Sequence, residues 1–238
     1  MEPLTVHQMS KERAMEVFLE TERMLLRHFT EADVDHLVDL DSDPEVMRFL
    51  TGGIPTSREA IQDDILPAFL RSYELYPGFG VFAAIEKERG EFLGWFSFRP
   101  KVAMSRDEVA LGYRLRRSLW GQGYATEGAR ALIRLGFTEW GVQRVVATTY
   151  QDNLASRRVM EKAGLSLVRT YRMTMEELQA NDSTAHDPSE VLWDGDDVEY
   201  ALRKADWEQQ EGASDLTHTS GSRVAQSEVP SRERGLEW

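Results

Sequence analysis

The segment Gly112-Tyr113-Arg114-Leu115-Arg116-Arg117-Ser118-Leu119-Trp120-Gly121-Gln122-Gly123-Tyr124-Ala125-Thr126 decides the fold. It reads as the end of a strand over 108–115, then a glycine loop, then a helix running to about residue 140 with Gly141 as its stop. Gly121, Gly123 and Ala125 alternate with Gln122 and Tyr124 at the mouth of that helix. Small residues there let backbone N–H groups come close to a ligand, and a helix N-terminus adds about half a positive charge. The combination suits a pyrophosphate. Arg114, Arg116 and Arg117 stand just before it as candidate partners for phosphate charge.

The glycines taken alone admit three readings. A dinucleotide-binding fingerprint needs glycine at 126, where this chain has Thr126, and more parallel strand–helix units than the rest of the sequence supplies. A nucleotide-hydrolase phosphate loop needs a lysine at a set spacing, and none follows. A tight turn with no ligand is the third.

Working outward, 22–28 reads as a short strand. Thr30 and Asp33 form a capping box ahead of a helix bearing Val34, Leu37, Val38 and Leu40. Asp43-Pro44-Glu45 starts a helical turn with proline at its first position. Ser57 caps a longer helix, and Pro67 inside it predicts a kink or break. Segments 79–86 and 92–98 form a hairpin around Gly90. Downstream lie a β-branched strand over 142–150, a helix capped by Asn153 and ended by Gly164, and strands over 165–173 and 197–202. A polar, acidic loop over 174–196 separates those last two strands. A helix is expected over 9–19.

The order of elements predicts an α/β chain with a mixed, curved sheet and helices on both faces. The expected organisation is an N-terminal extension over 1–20, one domain over 21–207, and a disordered tail over 208–238 rich in Ser, Thr, Gly, Glu and Gln.

Composition narrows the function. Of 238 residues, 41% are hydrophobic, enough for a packed core. Acidic residues number 41 against 28 basic ones, a net charge of −13, which makes nucleic acid a poor partner and a cationic or amine-bearing one a better fit. The absence of cysteine excludes disulfides, thiolate metal sites and a cysteine nucleophile. The five histidines, at 7, 28, 36, 186 and 218, show no metal-ligand spacing, so no metal is expected. No apolar run approaches the roughly 20 residues that span a bilayer. The first twenty residues lack the layout of a signal peptide, so a soluble cytoplasmic protein without membrane contact is expected.

About thirty residues beyond the loop lies Asn153-Leu154-Ala155-Ser156-Arg157-Arg158-Val159-Met160-Glu161-Lys162-Ala163-Gly164-Leu165. With Gly112-Tyr113-Arg114-Leu115 before the loop and Tyr124-Ala125-Thr126-Glu127-Gly128 at its end, the chain resembles the GNAT acetyltransferase superfamily. Thr21-Glu22-Arg23-Met24-Leu25-Leu26-Arg27 and Asp43-Pro44-Glu45-Val46-Met47 are similar to its RimJ/RimL-like branch of ribosomal-protein N-acetyltransferases. The resemblance covers about 21–203.

The resemblance implies a mostly antiparallel sheet splayed between the fourth and fifth predicted strands, 108–115 and 142–150. It implies acetyl-CoA as co-substrate and an amine as acceptor, and the branch allows a homodimer. The pantetheine arm would pair with backbone near Tyr113 and Leu115. The pyrophosphate would rest on the amides of Gly121, Gln122, Gly123, Tyr124, Ala125 and Thr126, with Arg116 and Arg117 beside it. Asn153 and Ser156 would face the pantetheine and the sulfur. Positions 120–125 fit the family's phosphate-loop pattern except at Trp120.

Two further positions depart from the family. Met160 stands where many relatives carry a tyrosine acid, which leaves Ser156 as the nearest hydroxyl for the leaving thiolate. Ala110 stands where many of this branch carry a glutamate. Glu108, on the same strand face by the period of two, is then a candidate base, with Glu199 and Asp152 as alternatives. These departures keep a second reading open, an acyl-CoA-binding regulatory module with weak catalysis.

Overall fold

A computed structural model describes residues 17–101, 105–172 and 195–220. Eight strands form one sheet: β1 (Val17–Glu20), β2 (Met24–His28), β3 (Gly80–Glu86), β4 (Phe92–Pro100), β5 (Glu108–Leu115), β6 (Arg144–Tyr150), β7 (Ser166–Tyr171) and β8 (Asp197–Arg203). Their order across the sheet is β1-β2-β3-β4-β5-β6-β8-β7. Every neighbouring pair is antiparallel except β5 and β6. The helices are α1 (Val34–Asp41), α2 (Pro44–Met47), α3, α4 (Tyr124–Thr138), α5 (Leu154–Lys162) and α6 (Lys204–Ser220). The third, α3, runs from Arg58–Ala60 through a π-helical turn at Ile61–Ile65 into Leu66–Leu75.

The register sorts the sheet's side chains by face. Val81, Ala83, Trp95, Ser97, Gly112 and Arg114 share one face, while Phe82, Phe96, Phe98, Leu111 and Tyr113 share the other. On the first face Val81 and Ala83 pack with Leu37 and Leu40 of α1 and with Ile61, Leu66 and Phe69 of α3. On the second face α4 buries Ala129, Leu132, Ile133 and Phe137, one stripe at helical spacing. Gly128 and Gly136 of α4 lie over two phenylalanines of β4. A Cβ at Gly128 would stand 2.3 Å from Phe96 Cζ, and one at Gly136 would stand 2.8 Å from the Phe98 ring. The helix therefore sits closer to the sheet than any side chain at those positions would allow.

Local signals act as expected at several points. The Thr30 N–H donates to Asp33 Oδ2 at 2.8 Å, half of the capping box. Asp43 and Ser57 accept from backbone N–H groups at the starts of α2 and α3. The disturbance expected at Pro67 takes the form of the π-helical turn directly before it, which absorbs the missing donor.

The edges differ from the sequence reading. A helix is expected over 9–19; residues 1–16 lie outside the described ones, and Val17–Glu20 is a strand. The cause is tertiary: β1 pairs with β2, and Phe18 stacks on Phe82 with ring centroids 3.8 Å apart. The sheet thus has eight strands, and its splayed pair is the fifth and sixth. At the other end α6 runs into the stretch where a disordered tail is expected from residue 208. Its first turns (Lys204, Ala205, Trp207, Glu208, Gln209, Gln210, Glu211) are mostly helix-compatible residues, a local signal hidden by the Ser/Thr/Gly-rich composition further along the tail. The described residues from Ala205 to Ser220 belong to a unit of their own. The acidic loop expected over 174–196 falls largely outside the described residues. Among the described residues no helix is long and apolar enough to cross a membrane.

Candidate active site

Strands β5 and β6 pair over only three positions, Glu108 with Arg144, Val109 with Val145 and Ala110 with Val146. Beyond Ala110 the two strands run on to Leu115 and Tyr150 without pairing. The sheet is open there, as the resemblance implies. Hydrogen-bond phase shows which groups face the opening. The Lys101 N–H donates to the Glu108 carbonyl at 3.0 Å, and the Arg116 N–H donates to the Leu93 carbonyl at 2.9 Å. Even-numbered residues of β5 therefore turn their peptide groups to β4. Leu111, Tyr113 and Leu115 turn theirs toward β6 and the gap. Gly94 brings β4 tight against this segment: its φ is +137°, and a Cβ there would lie 2.1 Å from the Arg114 carbonyl oxygen.

The glycine loop follows the open edge. Gly121 and Gly123 have φ of +77° and +89°, which favour glycine strongly. Nothing lies within 4 Å of a Cβ placed on Gly121. Gly123 is the N-cap of α4, with no side-chain cap, so the first turn offers its N–H groups outward. Left-handed glycines alternating with ordinary residues at a helix start form a concave set of donors suited to an anion. Trp120, which departs from the family pattern, donates its indole N–H to the Leu115 carbonyl at 2.9 Å and leaves 45% of its surface exposed. It ties the loop to the end of β5.

The expected arginine contacts divide. Arg114 faces the other side of the sheet and pairs with Asp41 of α1. Arg116 pairs with Asp39, donates its Nε to the Phe92 carbonyl at 2.8 Å and lies over the Phe92 ring. Arg117 is exposed beside the loop and makes no ion pair with a described residue.

Across the gap Asn153 caps α5. Its Oδ1 accepts from the Ser156 N–H at 3.2 Å, and its Nδ2 donates to Thr149 Oγ1 at 3.1 Å. The Tyr113 hydroxyl donates to the Ser156 carbonyl at 3.0 Å and lies 3.0 Å from Ser156 Oγ, so β5 and α5 meet through a phenol. Burial pushes that phenol up to about 12, partly offset by the Ser156 contact, so it remains a donor at any working pH. Met160 is buried, at 2% exposure. The structure thus brings Tyr113, Asn153 and Ser156 together across the opening, while Leu115 and residues 121–126 follow the open edge along the chain.

Of the three candidate bases, Asp152 is exposed in the turn between β6 and α5, while Glu108 and Glu199 sit at the closed end of the pair. Glu108 is bonded to Arg144 and lies 3.5 Å from Lys101. Glu199 is met by Arg144 at 3.0 Å, Arg169 at 2.9 Å and Lys101 at 3.8 Å, with 5% of its side chain exposed. Burial alone would raise the Glu199 carboxyl, but Arg169, Arg144 and Lys101 together hold it below the usual carboxylate range. A carboxylate so neutralised is a weak proton acceptor. Sequence patterns carry no sign of this cluster, because its members are scattered over distant segments of the chain.

The family model for the acetyltransferase (GNAT) domain matches residues 23–166, more than half of the chain. The chain belongs to the GNAT acetyltransferase family. That makes it an enzyme of the acyltransferase class. It is 36% identical over 160 residues to an Aspergillus fumigatus protein named FsC-acetyl coenzyme A-N(2)-transacetylase; the match covers 64% of this chain and 66% of that one, just under two thirds. It is 32% identical over 155 residues to the Bacillus subtilis protein YkkB, covering 65% and 88% of the two chains. Among solved structures, a GNAT acetyltransferase from Bacillus anthracis superposes with a TM-score of 0.62 at 22% identity, over 79% of this chain and 98% of that one. RimL, an acetyltransferase of ribosomal L7/L12 solved with coenzyme A, gives 0.59 at 19% identity, over 79% and 98%. At those identities the two structures speak for the fold.

Proposed function

We propose that this chain is an acetyl-CoA-dependent N-acetyltransferase that moves an acetyl group to a primary amine by direct attack on the thioester. The observation that carries the reading is the continuity of the open β5 edge with the glycine loop. A pantetheine arm needs peptide groups to pair with, and a pyrophosphate needs unpartnered N–H donors at the end of that arm. Here one follows the other along the chain. The branch similar to RimJ and RimL is part of the same reading, supported by the quoted N-terminal motifs.

In this reading acetyl-CoA brings the activated acetyl group. The peptide groups of Tyr113 and the N–H of Leu115 hold the arm, and the amides of residues 121–126 with Arg117 hold the pyrophosphate. Asn153 and Ser156 line the opposite wall. The amine lone pair attacks the carbonyl carbon, the C–S bond breaks, the nitrogen gives up a proton and the sulfur gains one. A backbone N–H at the β5 edge near Leu115 stabilises the oxyanion, an interaction worth about 3 kcal/mol. Ser156, the hydroxyl nearest by motif position, serves the leaving thiolate, and the Tyr113 hydroxyl 3.0 Å from its Oγ positions it. Glu108 and Glu199 hold the closed end of the splay through their cations, which leaves Asp152 or water to take the ammonium proton. The acceptor class is a primary amine, in line with the N(2) transfer named for the Aspergillus relative and with the net charge of −13.

Isothermal titration with acetyl-CoA, followed by thiol release against a panel of primary amines, tests this. Binding with amine-dependent thiol release supports it. Binding without release for any amine, peptide N-termini included, supports the regulatory-module reading instead.

A further inference from the structure

The densest polar network near the glycine loop is centred on two side chains, Arg23 and Glu127, that lie off the path of acetyl-CoA described above. Glu127, in the first turn of α4, takes three hydrogen bonds from the β1–β2 turn: Thr21 Oγ1 at 2.6 Å, the Arg23 N–H at 2.8 Å and Arg23 Nε at 2.7 Å. Arg23 then donates Nη1 to the Gln122 carbonyl at 3.0 Å. Its guanidinium lies 4.1 Å from the centre of the Tyr124 ring, and its Nη2 lies 3.4 Å from where a Gly123 Cβ would be. Tyr124 in turn donates to Glu86 of β3 at 2.9 Å. One arginine therefore grips the loop on both sides of Gly123, the Gln122 carbonyl before it and the Glu127 carboxylate after it.

A trans peptide points its N–H opposite to its C=O. Arg23 draws the Gln122 carbonyl toward itself, so the Gly123 N–H of the same peptide is aimed the other way, out of the loop. The guanidinium has Nε committed to Glu127 and Nη1 to Gln122, and its charge is matched by a carboxylate at 2.7 Å. Burial would raise the Glu127 carboxyl, but Thr21 and Arg23 hold it below the usual range, so it stays ionised and keeps the arginine in place.

We infer that Arg23 and Glu127 are positioning residues for the pyrophosphate: they fix the peptide 122–123 so that its N–H is preset for an anion, without either side chain touching phosphate. The inference rests on the acetyl-CoA reading above. It gives the Thr21-Glu22-Arg23 motif a role in co-substrate recognition, although it lies about a hundred residues from the loop. Fixing donors in advance removes an ordering cost from binding.

The test compares acetyl-CoA with S-acetylpantetheine, which has the thioester arm and no pyrophosphate, on the full chain and on Arg23→Ala, Arg23→Lys, Glu127→Gln and the Arg23→Ala/Glu127→Gln pair. Arg23→Ala and Glu127→Gln are expected to raise KM for acetyl-CoA by roughly tenfold or more, as misplacement of a binding group does. KM and kcat for acetylpantetheine should stay within about twofold, which also reports that the variant is folded. Lysine at 23 should rescue little, because it cannot serve both partners. The double variant should be no worse than the worse single one. Parallel losses with both co-substrates, or an unchanged KM for acetyl-CoA, would overturn the inference. A wild-type chain that does not prefer acetyl-CoA to acetylpantetheine would instead sink the loop's assignment as a phosphate cradle, and the inference with it.

Discussion

Arg114 of β5 reaches across to α1 and sets Nη1 at 2.6 and 2.7 Å from the two carboxylate oxygens of Asp41. Asp41 has 3% of its side chain exposed and Arg114 has 15%. The guanidinium also lies 5.1 Å from the centre of the Trp95 indole. This pair fastens the helical layer to the strand that borders the opening. Asp41→Ala strands a mostly buried cation and should cost about 3–5 kcal/mol. Replacing both partners with apolar residues of similar size should cost much less than the single change. Chemical denaturation of the two variants beside the wild-type chain decides between the two outcomes.

Gly128→Ala should destabilise the chain by about 1–3 kcal/mol, the usual range for overpacking. The added methyl would meet Phe96, which is fully buried. Gly128→Ala combined with Phe96→Leu should recover part of the loss, read as a shift in the urea midpoint. Gly121→Ala has no neighbour to strike and carries only the backbone cost of its positive φ, about 1–2 kcal/mol.

Gly123→Val should weaken acetyl-CoA binding by about a hundredfold or more. It combines a strained φ of +89° with a side chain projecting toward Arg23. Titration calorimetry measures the loss.

Tyr113→Phe and Ser156→Ala should each lower kcat, and together they should lower it by less than the product of the two. They share one hydrogen-bonded contact, so their effects are coupled. Because the phenol is held near 12, the Tyr113→Phe loss should be the same across neutral pH. Steady-state kinetics over a pH series checks both statements.

Stability should fall in mild acid. Glu127 and Glu199 both titrate below their ordinary value of 4.5 in the folded chain. The unfolded chain therefore takes up protons first as pH drops, so their contribution is complete above 4.5 and declines below it. Thermal melts from pH 6 to 3 should show a fall that Glu127→Gln and Glu199→Gln each make shallower.

The centre of this fold was legible in the sequence and its margins less so. Loop glycines, the Asn153 cap and the β-branched run before it are local signals, and local chemistry decides those elements. Strand β1 was not legible, because Phe18 becomes a strand residue only by stacking on Phe82, about sixty residues away. The site divides the same way. The meeting of Tyr113 with Ser156 across the opening follows from motif order. The pairing of Arg23 with Glu127, and the neutralisation of Glu199 by Lys101, Arg144 and Arg169, depend on contacts that no spacing rule encodes. Glu108 and Glu199 were attractive as bases on strand position alone, and only their partners show that both are engaged in ion pairs.

The most direct test of the central claim is transfer of an isotope-labelled acetyl group from acetyl-CoA to a primary amine, followed by mass spectrometry of the amine. The account predicts that an amine in the panel gains the labelled acetyl group in step with free thiol, and that Gly123→Val abolishes the gain. Failure of the wild-type chain to bind acetyl-CoA, or thiol release with the label appearing only in free acetate, would contradict it.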